Sequence, residues 1–184
     1  MRITGESWQR RHQLRPNLVA TLWFAGLALL ASAAAGQQPA PPPTGGSIRI
    51  GGMVAHPLLL NEADLSAFKK ESVTVPDEHG AKAVYAGFPV AELLERAGAP
   101  LGKELRGPKM KFYLAVKAAD GYEAVFALAE LDPDFTDRHI LLADRRDGGA
   151  LSSQEGPFRI VVPGEKRHAR WVRQVIALEV GEAK

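Results

Sequence analysis

No cysteine occurs anywhere in the 184 residues. Disulfide staples, thiol nucleophiles and cysteine-ligated metals are thereby excluded, and an ordinary apolar core must hold the fold. Metal-type histidine spacing is absent as well. His12, His56, His79, His139 and His168 form no H-x-x-H or H-E-x-x-H pattern. There is no Gly-x-Ser-x-Gly elbow, and Ser152-Ser153 lie in a polar stretch, so serine nucleophile chemistry has no support. No spacing among the acids singles out a glycosidase-type carboxylate pair. No internal repeat is visible.

An excess of one charge is also lacking. The formal net charge is +2, but four of the 23 Lys and Arg residues and one of the 21 Asp and Glu residues fall within the first 35 positions. The remainder carries 19 bases against 20 acids, a net of −1. A nucleic-acid binder needs a basic face on its folded domain, so no nucleic-acid partner is expected.

A long apolar run appears once, at the start. Arg2, Arg10, Arg11 and Arg15 precede an uncharged stretch from Leu18 to Leu30, and small residues follow to Ala33-Ala34-Ala35. This reads as an export signal over residues 1–35, cut after Ala35. Leu18 to Ala35 is also just long enough for an uncleaved anchor, but the alanine-rich exit favours cleavage. Arg10-Arg11 with Leu14 is a faint twin-arginine feature, weakened by Gln13. The expectation is a periplasmic or secreted protein without membrane contact after signal removal. Residues 36–46 form a Pro/Gly-rich linker of extended character. Residues 47–184 suffice for one core.

Strand signals dominate that domain. Lys111 to Ala118 alternates Phe112, Leu114 and Val116 on one face, Asp120-Gly121 turns the chain, and Tyr122 to Ala127 can return as a hairpin. Ile140 to Ala143 and Phe158 to Val162 are short apolar runs suited to a buried sheet. Val172, Ile176, Leu178 and Val180 give a final strand one apolar face. Asn61 can cap a short helix with Leu65 and Phe68 inward and Asp64 in its first turn. Pro89 suits the start of a second helix, where Val90, Leu93, Leu94 and Ala97 form a stripe that Gly98 ends. A third, one-turn helix is expected from Leu128 to Leu131. Strands in excess, with irregularly placed helices, predict an α+β fold.

Several segments then fall into a recognisable order: Leu142-Ala143, the Asp147-Gly148 turn, Gly156-Pro157, Arg159, Val161-Val162-Pro163-Gly164 and Arg170-Trp171. Together they resemble the molybdopterin-binding oxidoreductase domain of the sulfite oxidase type. Ile48 to Val54 with Pro57 and Asp64-Leu65, Tyr85 to Val90 with Leu93-Leu94, and Asp120-Gly121-Tyr122 with Leu128 resemble its earlier segments. The likeness covers about 130 residues, the size of one domain. It implies mainly β mixed sheets with a few short helices, and a molybdopterin cofactor.

The resemblance places a cysteine ligand for molybdenum just after the second strand. Here that strand, Ser72 to Val75, is followed by Pro76-Asp77, so no metal ligand is assigned. The connection from Glu78 to Val84 is short, and the loop after Val162-Pro163-Gly164 is about two residues shorter than the family pattern, where loop N–H groups and basic side chains bind phosphate. Asp144 stands where a substrate-site tyrosine is usual, and Glu155 where a histidine precedes Gly-x-Pro. His79 could offer an imidazole in place of the thiolate, although an exposed polar turn explains it more simply.

Arg159, Lys166, Arg167, His168 and Arg170 are the candidate cofactor-binding residues, with Arg173 close by and Glu165 the one acid among them. Cations at a strand end can bind a phosphate or a pterin phosphate tail, or they can be merely solvated. Two readings stay open. One is a molybdopterin-dependent oxidoreductase domain. The other is a cofactor-free binding or interaction module with an anion-preferring pocket, taking a small anionic ligand or a partner protein.

Overall fold

Alternating side chains build most of the strands. The computed structural model describes residues 46–184 apart from Glu78, so the expected export segment and all but the end of the linker lie outside the described residues. In chain order the elements are β1 (Ile48–Gly52), β2 (Leu58–Leu60), α1 (Glu62–Leu65), β3 (Glu71–Pro76), β4 (Lys82–Pro89), α2 (Val90–Arg96), β5 (Phe112–Ala118), β6 (Glu123–Ala127), β7 (Leu141–Arg146), β8 (Gly149–Ala150), β9 (Arg159–Val161) and β10 (Val175–Glu182). Short 3-10 turns punctuate the loops, among them Leu128–Glu130 and His168–Arg170. The architecture is α+β, mainly β in mixed sheets, as expected.

Two sheets divide the strands. The first runs β2-β1-β10-β5-β6 and the second β3-β4-β7-β8, with β9 also pairing β7. β1 lies parallel to β10, Ile50 opposite Leu178, so the first and last described strands are neighbours. β10 then pairs antiparallel with β5 from Val175–Ala118 to Glu182–Phe112. The apolar faces meet in one core that includes Ile50, Leu114, Phe126, Leu142, Ile160 and Leu178, all essentially inaccessible to water. Each such side chain contributes roughly 1.5–3 kcal/mol by leaving water.

Local signals fix the helix ends. Asn61 accepts from the N–H groups of Ala63 and Asp64 at 2.8 and 3.0 Å, while Asp64 accepts from the Asn61 N–H at 3.0 Å, a reciprocal capping box. In α2, Val90, Leu93 and Leu94 are buried, and the Gly98 N–H closes on the Glu95 carbonyl at 2.9 Å with φ of 72°. The hairpin β5–β6 turns on Asp120, whose carboxylate accepts the Tyr122 N–H at 2.9 Å.

β10 departs from the expected pattern. A register shift between Val175 and Ala177 turns Ile176 partly outward and puts Ala177 in the core. Val172 is buried but precedes the strand, its carbonyl accepting the Ile160 N–H at 2.8 Å. A bulge inserts one residue and so inverts the face read from simple alternation.

Gly87 marks the closest approach within the second sheet. A Cβ there would lie 2.2 Å from the Leu142 carbonyl oxygen, beside the register shift between Ala86 and Gly87. Gly87→Ala should therefore destabilise the domain by about 1–3 kcal/mol or more by overpacking, seen as a lower midpoint in urea with an unchanged m-value.

Candidate functional site

The end of β3, the turn after it and the loop from Gly164 to Trp171 enclose a hollow of about 660 Å³. Val75, Pro76, Asp77 and Gly80 form one wall; Gly164 to His168 and Trp171 form the other. Behind it Tyr85 and Trp171, both nearly inaccessible, meet edge to face with centroids 5.9 Å apart.

Arg159 is wedged against both rings. It is 2% exposed, and its guanidinium lies 5.6 Å from the Tyr85 centroid and 5.5 Å from that of Trp171. A charge in such a place needs a partner, and Glu155 supplies it as a direct ion pair. Arg146 extends the network, reaching Asp77 at 2.9 Å, Asp147 at 3.4 Å and Glu155 at 3.9 Å while standing 5.6 Å from the Tyr85 centroid. The N–H groups of His79 and Ala81, both 2.9 Å from Oδ1, and the Arg146 guanidinium hold the Asp77 carboxyl below its usual range. Burial pushes the Tyr85 phenol up.

Arg170 is committed elsewhere. It forks onto Glu130 at 3.1 Å and Glu165 at 2.8 Å, with its guanidinium 4.5 Å from the Phe126 centroid. Burial works to raise the Glu130 carboxyl, but Arg170 and the Ala127 N–H hold it below the usual range.

The five basic candidates thus divide. Lys166, Arg167 and His168 line the hollow, Arg159 lies in the wall behind it, and Arg170 is tied to two carboxylates. Neither Lys166 nor Arg167 has a carboxylate partner among the described residues. His168 stacks on Trp171 with centroids 3.8 Å apart and 19° between planes. The buried Trp171 Nε1 has no hydrogen-bond acceptor among the described residues. His79 is exposed in its turn, and no cluster able to hold a metal ion occurs among the described residues. Asp144 pairs with Lys70 and borders a separate hollow of about 670 Å³.

Sequence reasoning missed the Asp77–Arg146–Glu155–Arg159 chain and the Tyr85–Trp171 platform. A signal existed in Asp144-Arg145-Arg146-Asp147, four charged residues that directly follow an apolar run. What it could not reveal was which of them turns inward.

The oxidoreductase molybdopterin-binding domain profile matches residues 36–184. The chain belongs to that family. Its fold is shared by the crystal structure of the sulfane dehydrogenase SoxCD from Paracoccus pantotrophus, with a TM-score of 0.57 and 24% identity, over 73% of this chain and 37% of that one. The chain thus spans well under half the length of that protein. No curated protein matches it.

Family membership implies a molybdopterin, and the hollow gives a direct test of fit. At the end of β3, where the resemblance expects a thiolate, stand Pro76 and an Asp77 carboxylate already engaged by Arg146 and two N–H groups. That donor set does not fit a molybdenum ligand, which favours soft sulfur. Lys166 and Arg167 do fit a phosphate-type anion.

The Glu155–Arg159 pair generates a prediction. Glu155→Gln replaces a charged partner of the buried Arg159 guanidinium with a neutral amide and should cost about 3–5 kcal/mol. Thermal unfolding of wild type and variant checks this; a loss under 1 kcal/mol would mean that the rings and other contacts suffice.

Proposed function

We propose that this chain is an exported, anion-binding member of the molybdopterin-binding oxidoreductase family whose cleft works without a protein thiolate on molybdenum. One observation carries the reading. Lys166 and Arg167, with no carboxylate partner among the described residues, line a hollow whose opposite wall has Asp77 paired with Arg146, at the strand end where the sequence resemblance leads one to expect a metal ligand. Two cations beside a concave surface attract an oxyanion, and charge-assisted contacts give it direction. His168, stacked on Trp171, lines the same hollow and carries a ring N–H that can donate a further hydrogen bond.

Arg159 and Arg170 take part indirectly. Arg159 holds the aromatic platform from behind, and Arg170 neutralises Glu165, the acid within the loop. The loop can therefore present net positive charge despite the near-neutral domain.

Hydrogen bonds to charged groups are worth about 1.5–3 kcal/mol, less where the cation is exposed. Arg167→Ala should therefore weaken inorganic phosphate about tenfold with little change in thermal stability. Calorimetric titration reads this, and elemental analysis of protein from its native compartment runs beside it. Equal phosphate affinity in both proteins removes the anion site, whereas molybdenum near one atom per chain with a released pterin restores the oxidoreductase reading.

Export is supported by the basic start, the apolar run to Leu30 and the Ala33-Ala34-Ala35 exit. Among the described residues no helix is long and apolar enough to cross a membrane. The mature chain should begin at or near Gly36. Intact-mass measurement of the exported protein checks this, and a membrane-retained product still carrying residues 1–35 would contradict it.

A further inference from the structure

Among the described residues β3 is an edge strand: β4 lies on one side and no described strand of the second sheet on the other. Its pairing with β4 is uninterrupted from Glu71–Gly87 to Pro76–Lys82, so hydrogen-bonded and non-hydrogen-bonded pairs alternate along it. Two contacts fix the phase. The Asp77 N–H bonds the Ala81 carbonyl at 2.7 Å, and Val84, opposite Thr74, gives its N–H to the Asp147 carboxylate and its carbonyl to the Asp147 N–H. Thr74–Val84 is thus a non-hydrogen-bonded pair, and so is Ser72–Ala86. The N–H and carbonyl groups of Ser72 and Thr74 therefore face outward from the sheet.

Edges are normally guarded by lysine, by a bulge or by covering structure. Here the outward positions are Ser72 and Thr74, both exposed and uncharged, and only Pro76 caps the end. Two hollows lie along this strand. One of about 580 Å³ reaches from Glu71 and Val73 to Arg138, and the 660 Å³ hollow continues from Val75 to Lys166 and Arg167. Gly164 borders both. Of the carboxylates nearby, Asp77 is paired with Arg146 and Glu165 with Arg170, while Glu71 lies 2.9 Å from His139 Nδ1, so that Glu71 and Asp137 stand against Arg138, Lys166 and Arg167.

We propose that the open edge of β3 is a docking rail for an acidic, extended polypeptide segment, which adds as a strand on Ser72 and Thr74 and sets a carboxylate against Lys166 and Arg167. The proposal rests on the anion-preferring reading of the cleft and names its occupant. Main-chain bonds to a sheet edge give such complexes their affinity, and alternate side chains entering hollows give them selectivity. A six-residue strand spans about 20 Å, room for an incoming strand of similar length.

The test uses the full exported chain and a nine-residue peptide alternating Thr and Glu, capped at both ends. Three controls accompany it: the same peptide N-methylated at alternate amides, its Thr-Lys counterpart, and inorganic phosphate. The Thr-Glu peptide should slow amide exchange at Ser72 and Thr74 and bind at least tenfold tighter than either peptide control. Thr74→Pro removes one outward N–H at a site where an edge strand tolerates proline; it should weaken the peptide about tenfold and leave phosphate unchanged. The N-methylated peptide asks the same question without altering the protein. Phosphate binding without peptide binding, or peptide binding indifferent to Thr74→Pro and to N-methylation, overturns the rail and leaves the anion site standing. Failure of both probes removes both readings. A concentration-dependent dimer with Ser72 and Thr74 protected in the absence of peptide assigns the edge to a second copy and overturns the proposal.

Discussion

The buried guanidinium of Arg159 is the constraint around which the second sheet and its loops are organised. An unpaired charge at that depth would cost several kcal/mol, so the structure surrounds it with a carboxylate and two aromatic rings. Glu155 lies four residues earlier and joins it directly, while Tyr85 from β4 and Trp171 from the following loop offer their rings. Trp171 is thereby fixed, and with it the Gly164–Trp171 loop. Arg146 shares Glu155 and passes the constraint to Asp77, which orders the turn after β3 through the N–H groups of His79 and Ala81. Strand end, turn and loop are the walls of the cleft, so one interior charge positions all three.

That arrangement also decides which charges face solvent. Arg159, Arg170 and Arg146 are engaged in ion pairs, and each lies close to an aromatic ring. Lys166 and Arg167 alone among the loop cations line the cleft without a carboxylate partner among the described residues. A cluster that looks uniform as a string of basic residues is, in space, a set tied into ion pairs and a set that lines the cleft. Family membership accounts for the sheets. The chemistry of the cleft depends on the particular donors present, and the oxyanion reading proposed above follows from those donors, not from the fold.

Much of the fold was legible beforehand for a physical reason. Alternation reports which face of a strand leaves water, so the β5–β6 hairpin and the buried runs of β7 and β9 follow from Phe112, Leu114, Val116 and their like. Capping is equally local: Asn61 and Gly98 terminate helices through bonds to residues three or four positions away. Expectation and structure part where geometry is not local. The bulge in β10 that exchanges Ile176 for Ala177 answers to the pairing with β5, strands separated by more than fifty residues.

The same division holds at the cleft. By itself the sequence determined that no thiolate exists, that the loop after Val162-Pro163-Gly164 is basic, and that the domain is close to neutral, because these are matters of composition and order. Only the tertiary structure decided that Arg159 turns inward, that Arg170 is shared by Glu130 and Glu165, and that β3 is the edge among the described strands of its sheet, beside Lys166 and Arg167. Whether a cation is consumed or available depends on which carboxylates fold up against it. Glu130 is forty residues from Arg170 and Asp77 sixty-nine from Arg146, separations that packing alone closes.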